Sequence, residues 1–174
     1  PPAGAVFQAA GVDTMSRIDA IIRHPVFIGH MEKNEAAEQG RIFCRHDMGH
    51  LLDVARIAML LNLEEGLGLT KELLYGAALL HDIGRHEQYE SGTPHEEAGA
   101  QIAPAILADC GYDEKETCVI TEAIRMHRNK AIAECADLKG VLYRADKLSR
   151  PCFCCKAESA CNWKEEKKNK HLRL

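Results

Sequence analysis

Apolar residues along this 174-residue chain recur at spacings of three and four, the repeat of helices with one buried face. The pattern predicts helices over about 14–24, 26–37 and 46–62, the third with His50, Val54, Ile57 and Leu61 in one stripe. Gly66 and Gly68 then interrupt it. A fourth helix starts after Thr70 as its N-cap, aligns Leu74, Ala77, Ala78 and His81, and stops at Gly84. Thr93-Pro94-His95-Glu96 combines a cap, a proline at the first helical position and a glutamate three residues after the cap. The helix it opens runs to about Asp109, with a kink expected at Pro104. Asp113 and Glu116 repeat the capping logic for a sixth helix with Ile120, Ile124 and His127 on one face. A seventh, over about 138–150, aligns Leu142, Ala145, Asp146 and Ser149. No proline falls between Val26 and Thr93, and alanine and leucine outweigh β-branched residues there, so the predicted class is all-α, in one domain.

Composition narrows the function classes. Hydrophobic residues at 46% with 28% charged are globular values. A net charge of -4 gives no basic field for a nucleic-acid polymer, and no apolar run reaches the ~18 residues that span a bilayer. Residues 1–14, small and apolar ahead of Met15, read as a cloning remnant or a disordered N-terminus. Residues 15–151 then form the domain, and 152–174 a cysteine- and lysine-rich extension packed on it. Eight cysteines with no secretory segment suit a cytoplasmic protein whose thiols are reduced or ligate metal.

The chemistry is carried by polar residues on apolar faces. His50, His81, His127 and Asp146 each occupy a core-side position of a separate helix, and Asp82 follows His81 directly. Any one of these histidines alone reads as a hydrogen-bonded core residue. Four helices aiming imidazoles and carboxylates inward read as a divalent metal site, because a buried carboxylate among neutral imidazoles needs a compensating cation.

His50, LLHDIGR at 79–85, PHEEAGA at 94–100, AIRMHR at 123–128 and LYRADKLSR at 142–150 follow in an order that resembles the HD-domain superfamily of metal-dependent phosphohydrolases. The likeness spans about Phe43 to Arg150. It implies an HD-type bundle of about six to eight helices with the metal site between them. It also implies core ligands at His50, His81, Asp82 and Asp146. In binuclear members, such as hydrolases of symmetrical dinucleoside tetraphosphates, two further histidines hold a second metal; His95 and His127 match them, with Asp82 bridging. The implied reaction is attack of a metal-bound hydroxide on a phosphoester or phosphoanhydride of a nucleotide or small phosphorylated metabolite. Two divalent transition ions are expected, iron or manganese ahead of zinc, cobalt or nickel.

Further residues join as candidates. Arg85 matches a basic position three residues after the doublet's aspartate and is expected, with Asp82, in the catalytic set. Arg85, Arg128, Lys147 and Arg150 are expected to grip phosphate oxygens, surface solvation being the alternative for each. His46, four residues before His50, reads as a pocket-wall donor, an outer ligand or a partly solvated helix-start residue. Asp47 and Asp53 are either partners of imidazoles or ordinary helix residues, and Glu96 is expected to be a cap. Cys152, Cys155 and Cys161 either ligate a structural metal, with Cys44 as a distant fourth ligand, or remain free thiols. Two alternatives to a hydrolase are a di-iron oxygenase and a nucleotide-sensing module without chemistry. The chain is expected to act as a monomer or homodimer on a small substrate, off the membrane.

Overall fold

The computed structural model describes residues 16–172; the expectation for residues 1–14 falls outside them. Eight α-helices follow one another, with no strand among the described residues. They are α1 (Arg17–Arg23), α2 (Pro25–Ala37), α3 (Met48–Glu64), α4 (Lys71–Leu80), α5 (Arg85–Glu90), α6 (His95–Asp109), α7 (Glu114–Met126) and α8 (Leu138–Leu148). Beyond α8 the described residues form only single 3-10 turns.

Local chemistry explains most boundaries. Asp47, Thr70 and Asp137 cap α3, α4 and α8 by accepting the backbone N–H of the residue three positions on. Asp113 and Glu116 complete a reciprocal capping box at α7, as their spacing predicts. At α6 the expectation fails in detail. Pro94 is the cap residue, Thr93 hydrogen-bonds to Ser91, and Glu96 faces Arg128. A proline has no side-chain acceptor to offer the helix, and the His95 N–H points instead to Gln88 Oε1 at 3.4 Å. The helix also continues through Pro104. The short α5 went unpredicted because RHEQYE carries no apolar period.

α4 lies at the centre, packed against α1, α3, α6, α7 and α8. Its Leu79 and Leu80, with Leu51, Val54, Ile83, Ile120, Ile124 and Leu142 from the surrounding elements, are almost wholly excluded from solvent. One close approach sets the geometry of the site. A Cβ on Gly84 would lie 2.6 Å from the Gly99 backbone nitrogen, so only glycine lets the turn after α4 lie against α6. That turn carries His81 and Asp82.

Candidate metal centre

Four helix ends converge on Asp82. His81 follows the last residue of α4, His127 follows the last of α7, His95 opens α6, and His50 lies in the first turn of α3. Asp82 itself is 3% exposed. Its Oδ2 stands 3.1 Å from His81 Nε2 and 3.4 Å from His50 Nε2. Its Oδ1 stands 3.1 Å from His95 Nε2 and 3.9 Å from His127 Nε2. Each carboxylate oxygen therefore serves a separate imidazole pair.

Backbone carbonyls fix two of the ring tautomers. His81 Nδ1 donates to the Ala78 carbonyl at 2.7 Å and His127 Nδ1 to the Ile124 carbonyl at 2.6 Å. His95 Nδ1 lies between Gln88 Oε1 at 2.6 Å, which can only accept, and an Arg85 N–H at 2.8 Å, which can only donate, so these two neighbours favour opposite tautomers of that ring. In His81 and His127 the Nε2 lone pair is left facing the Asp82 side of the cage. Nε2 of His50 and of His81 are buried without a hydrogen-bond partner. Unpaired lone pairs aimed at a buried carboxylate are costly unless a cation lies between them.

The electrostatics divide the set: burial lowers His81, but the adjacent Asp82 outweighs burial and raises it. Burial, helped by the nearby His81, pushes His127 down to about 3, so its ring is neutral and able to ligate. Burial also lowers His95. Burial opposes ionisation of Asp82, yet His81, His46 and His50 hold it well below the ordinary carboxylate range. Donor atoms of His50, His81 and Asp82 lie within 4.8 Å of one another, as do those of Asp82, His95 and His127. Two such sets sharing one aspartate suit divalent transition metals, since imidazole with carboxylate is their preferred donor mixture.

The remaining expected residues fall as follows. Asp146 Oδ1 lies 3.7 Å from His50 Nε2, at the edge of the first set, while its Oδ2 is held by Lys147. Arg150 approaches the same oxygen at 4.0 Å. Arg128 pairs with Glu96 at 3.2 Å. His46 Nε2 faces Asp82 Oδ2 at 4.0 Å. Asp47 caps α3 and Asp53 pairs with Arg56 on the surface, so neither orients an imidazole. Among the described residues, no three cysteine sulfurs come within 4.8 Å of one another, so Cys152, Cys155 and Cys161 do not form a ready-made cage. A third group, His86, Glu87 and Glu90, lies on α5, where the buried His86 ring contacts His30 of α2 at 2.7 Å.

Three supporting residues escaped the sequence reading. Glu38, 4% exposed, accepts from His46 Nδ1, the His46 backbone and the Tyr89 hydroxyl. Burial would raise it, but the His46 contacts outweigh burial and hold it at about 2. Asn34 clamps the doublet turn by donating to the Asp82 carbonyl and accepting the His86 N–H. Gln88 orients His95. No local pattern distinguishes these three, because each acts on a residue of another element.

The cage opens into a cavity of about 690 Å³. Arg41, Arg45, Arg85, Arg128, Lys147 and Arg150 line it, together with Phe43 and Trp163. Arg150 stacks on Trp163 at 3.9 Å. No helix among the described residues is long and apolar enough to cross a membrane.

Comparisons with known proteins converge on one family. The HD domain family matches residues 48–150. An uncharacterized protein of Clostridium beijerinckii is 47% identical over 155 residues, 89% of this chain and 97% of that protein. The crystal structure of a predicted HD superfamily hydrolase from an uncultured Thermotogales bacterium is similar with a TM-score of 0.61 and 25% identity. The match covers 84% of this chain and 80% of that one.

Proposed function

We propose, for a chain that belongs to the HD-domain family, a binuclear phosphohydrolase acting on a nucleotide or small phosphorylated metabolite. One ion would sit on His50, His81 and Asp82 with Asp146 beside them, and the other on Asp82, His95 and His127. The carrying observation is the division of Asp82, whose two oxygens each face a different imidazole pair. When bound, two such ions supply Lewis-acid polarisation of a phosphoryl oxygen and lower the pKa of water.

The chain's own groups do the rest. Arg85 stands beside the cage, and Arg128, Lys147 and Arg150 line the cavity, where they bind and orient phosphate oxygens. Glu38 keeps the proton of His46 on Nδ1, so that Nε2 is presented toward Asp82 and can take or return a proton there. The cavity is of small-molecule size, which supports a metabolite over a polymer.

The test is reconstitution of metal-free protein with manganese, iron, cobalt or zinc, followed by a panel of phosphomonoesters, nucleotides and dinucleoside polyphosphates. Metal-dependent release of phosphate or mononucleotide is expected. Oxygen uptake by iron-loaded protein without phosphate release would replace this reading with the oxygenase. Tight nucleotide binding without product would replace it with the sensing module.

A further inference from the structure

The segment after α8 poses a problem that the phosphohydrolase reading does not touch. None of residues 151–172 is buried, and the segment's only regular structure is three single 3-10 turns. Ion pairs of Lys168 and Lys170 with the partly to largely exposed Glu158 and Glu165 hold it to itself. Such pairs contribute little against the entropy of ordering a chain with no core. Asn169 ties it to the body through the carbonyls of Lys147, Leu148 and Arg150. A segment of this kind, forming a wall of the cavity, calls for a covalent or metal staple.

Its cysteines are placed to supply one. Cys155 N–H closes a turn on the Cys152 carbonyl, which sets these two thiols at the ends of one tight loop. Cys161 closes the next turn, on Glu158. Cys44, from the loop before α3, faces the same cavity as Cys155 and Cys161. The thiol of Cys44 is pushed up by burial; Arg150 opposes that, and Cys152 and Cys155 are close enough to add to it. Cys154 lines the cavity too, but its thiol is engaged by the Pro151 carbonyl at 3.5 Å, while Cys152 joins the group through its turn with Cys155.

We infer that Cys44, Cys152, Cys155 and Cys161 form a structural zinc site that staples the tail to the loop before α3, separate from the imidazole and carboxylate cage. Four thiolates are the usual donor set of a closed structural zinc site. No three of these sulfurs lie within 4.8 Å of one another, so ligation would require the exposed Cys44 and the partly exposed Cys152, Cys155 and Cys161 to rotate toward a common point. Zinc would thereby fix the two cavity-wall segments that carry Arg41, Arg45 and Trp163.

Cobalt(II) substitution of the full chain tests this, because thiolate-to-cobalt charge-transfer bands arise from sulfur ligands and never from imidazole or carboxylate. The bands are expected in the unaltered protein and in Asp82→Ala, Cys118→Ser and Cys154→Ser. They should be lost in Cys44→Ser and Cys161→Ser, with helical circular dichroism retained because no tail residue is in the core. Zinc analysis of Asp82→Ala should give one ion per chain. Absence of the bands from the unaltered protein, which needs no variant, would overturn the site. So would their persistence in both Cys44→Ser and Cys161→Ser, or a disulfide among these four cysteines in reduced preparations.

Discussion

Around Asp82 the site is assembled from buried helix ends, while much of the rim of the same cavity comes from loops and turns, with no buried residue among those described beyond Arg150. The cage has its ring orientations set by backbone carbonyls at Ala78 and Ile124, which cannot move without disturbing α4 and α7. The rim relies on long basic side chains held by pairing and stacking with their neighbours, such as Arg128 with Glu96 and Arg150 on Trp163. The contrast teaches that ion binding and substrate choice are held by separate parts of the molecule and are separable by mutation.

The largest effect is expected inside the cage. Asp82→Ala removes the group shared by both donor sets, so both ions should be lost together and turnover should fall by at least about 10³-fold. Metal analysis beside phosphate release checks this, and loss of only one ion would break the bridging assignment. Next comes the packing that presents the doublet. Gly84→Ala would push a methyl against the Gly99 backbone, at a cost of about 3 kcal/mol in stability by chemical denaturation. A neutral result would mean that the turn is freer than the cage requires.

Legibility in the sequence follows the same division. His50, His81, His127 and Asp146 were visible because each interrupts an apolar stripe of its own helix, and the structure brings the three histidines to one carboxylate. His95 lies at a helix start, where periodicity says nothing, and only the family likeness pointed to it. Glu38, Asn34 and Gln88 were invisible, since a polar residue that supports another element leaves no trace in its own neighbourhood. The helix α5 was missed for a related reason, being held by His86 and Tyr89 contacts to α2 and to Glu38 rather than by an apolar face. Thr93 was misread as a cap because the spacing of Thr93 and Glu96 satisfies the motif while Pro94 takes the position.

Glu38 sits between the two regions and sharpens the comparison through pH. Its carboxylate is held at about 2 against an ordinary 4.5, so it stabilises the fold fully above about pH 4.5. That contribution, at most roughly 3 kcal/mol, is lost as pH falls toward 2. Glu38→Gln should therefore flatten the acid limb of a stability-against-pH curve and lower stability at neutral pH. An unchanged acid limb would detach Glu38 from His46.

The smallest effect belongs to the rim. Arg150 stacks on Trp163 and lines the cavity, yet it only approaches Asp146, at 4.0 Å. Arg150→Ala should therefore raise KM by about 3- to 10-fold, on the order of 1 kcal/mol, and leave kcat and metal content nearly unchanged. Added salt should mimic it, because partly exposed charges are screened within about 10 Å at 0.1 M, whereas the buried cage is not. A fall in kcat equal to the change in KM would mean that Arg150 acts through Asp146 on the cage itself, and the division between ion-holding core and substrate-holding rim would fail at this residue.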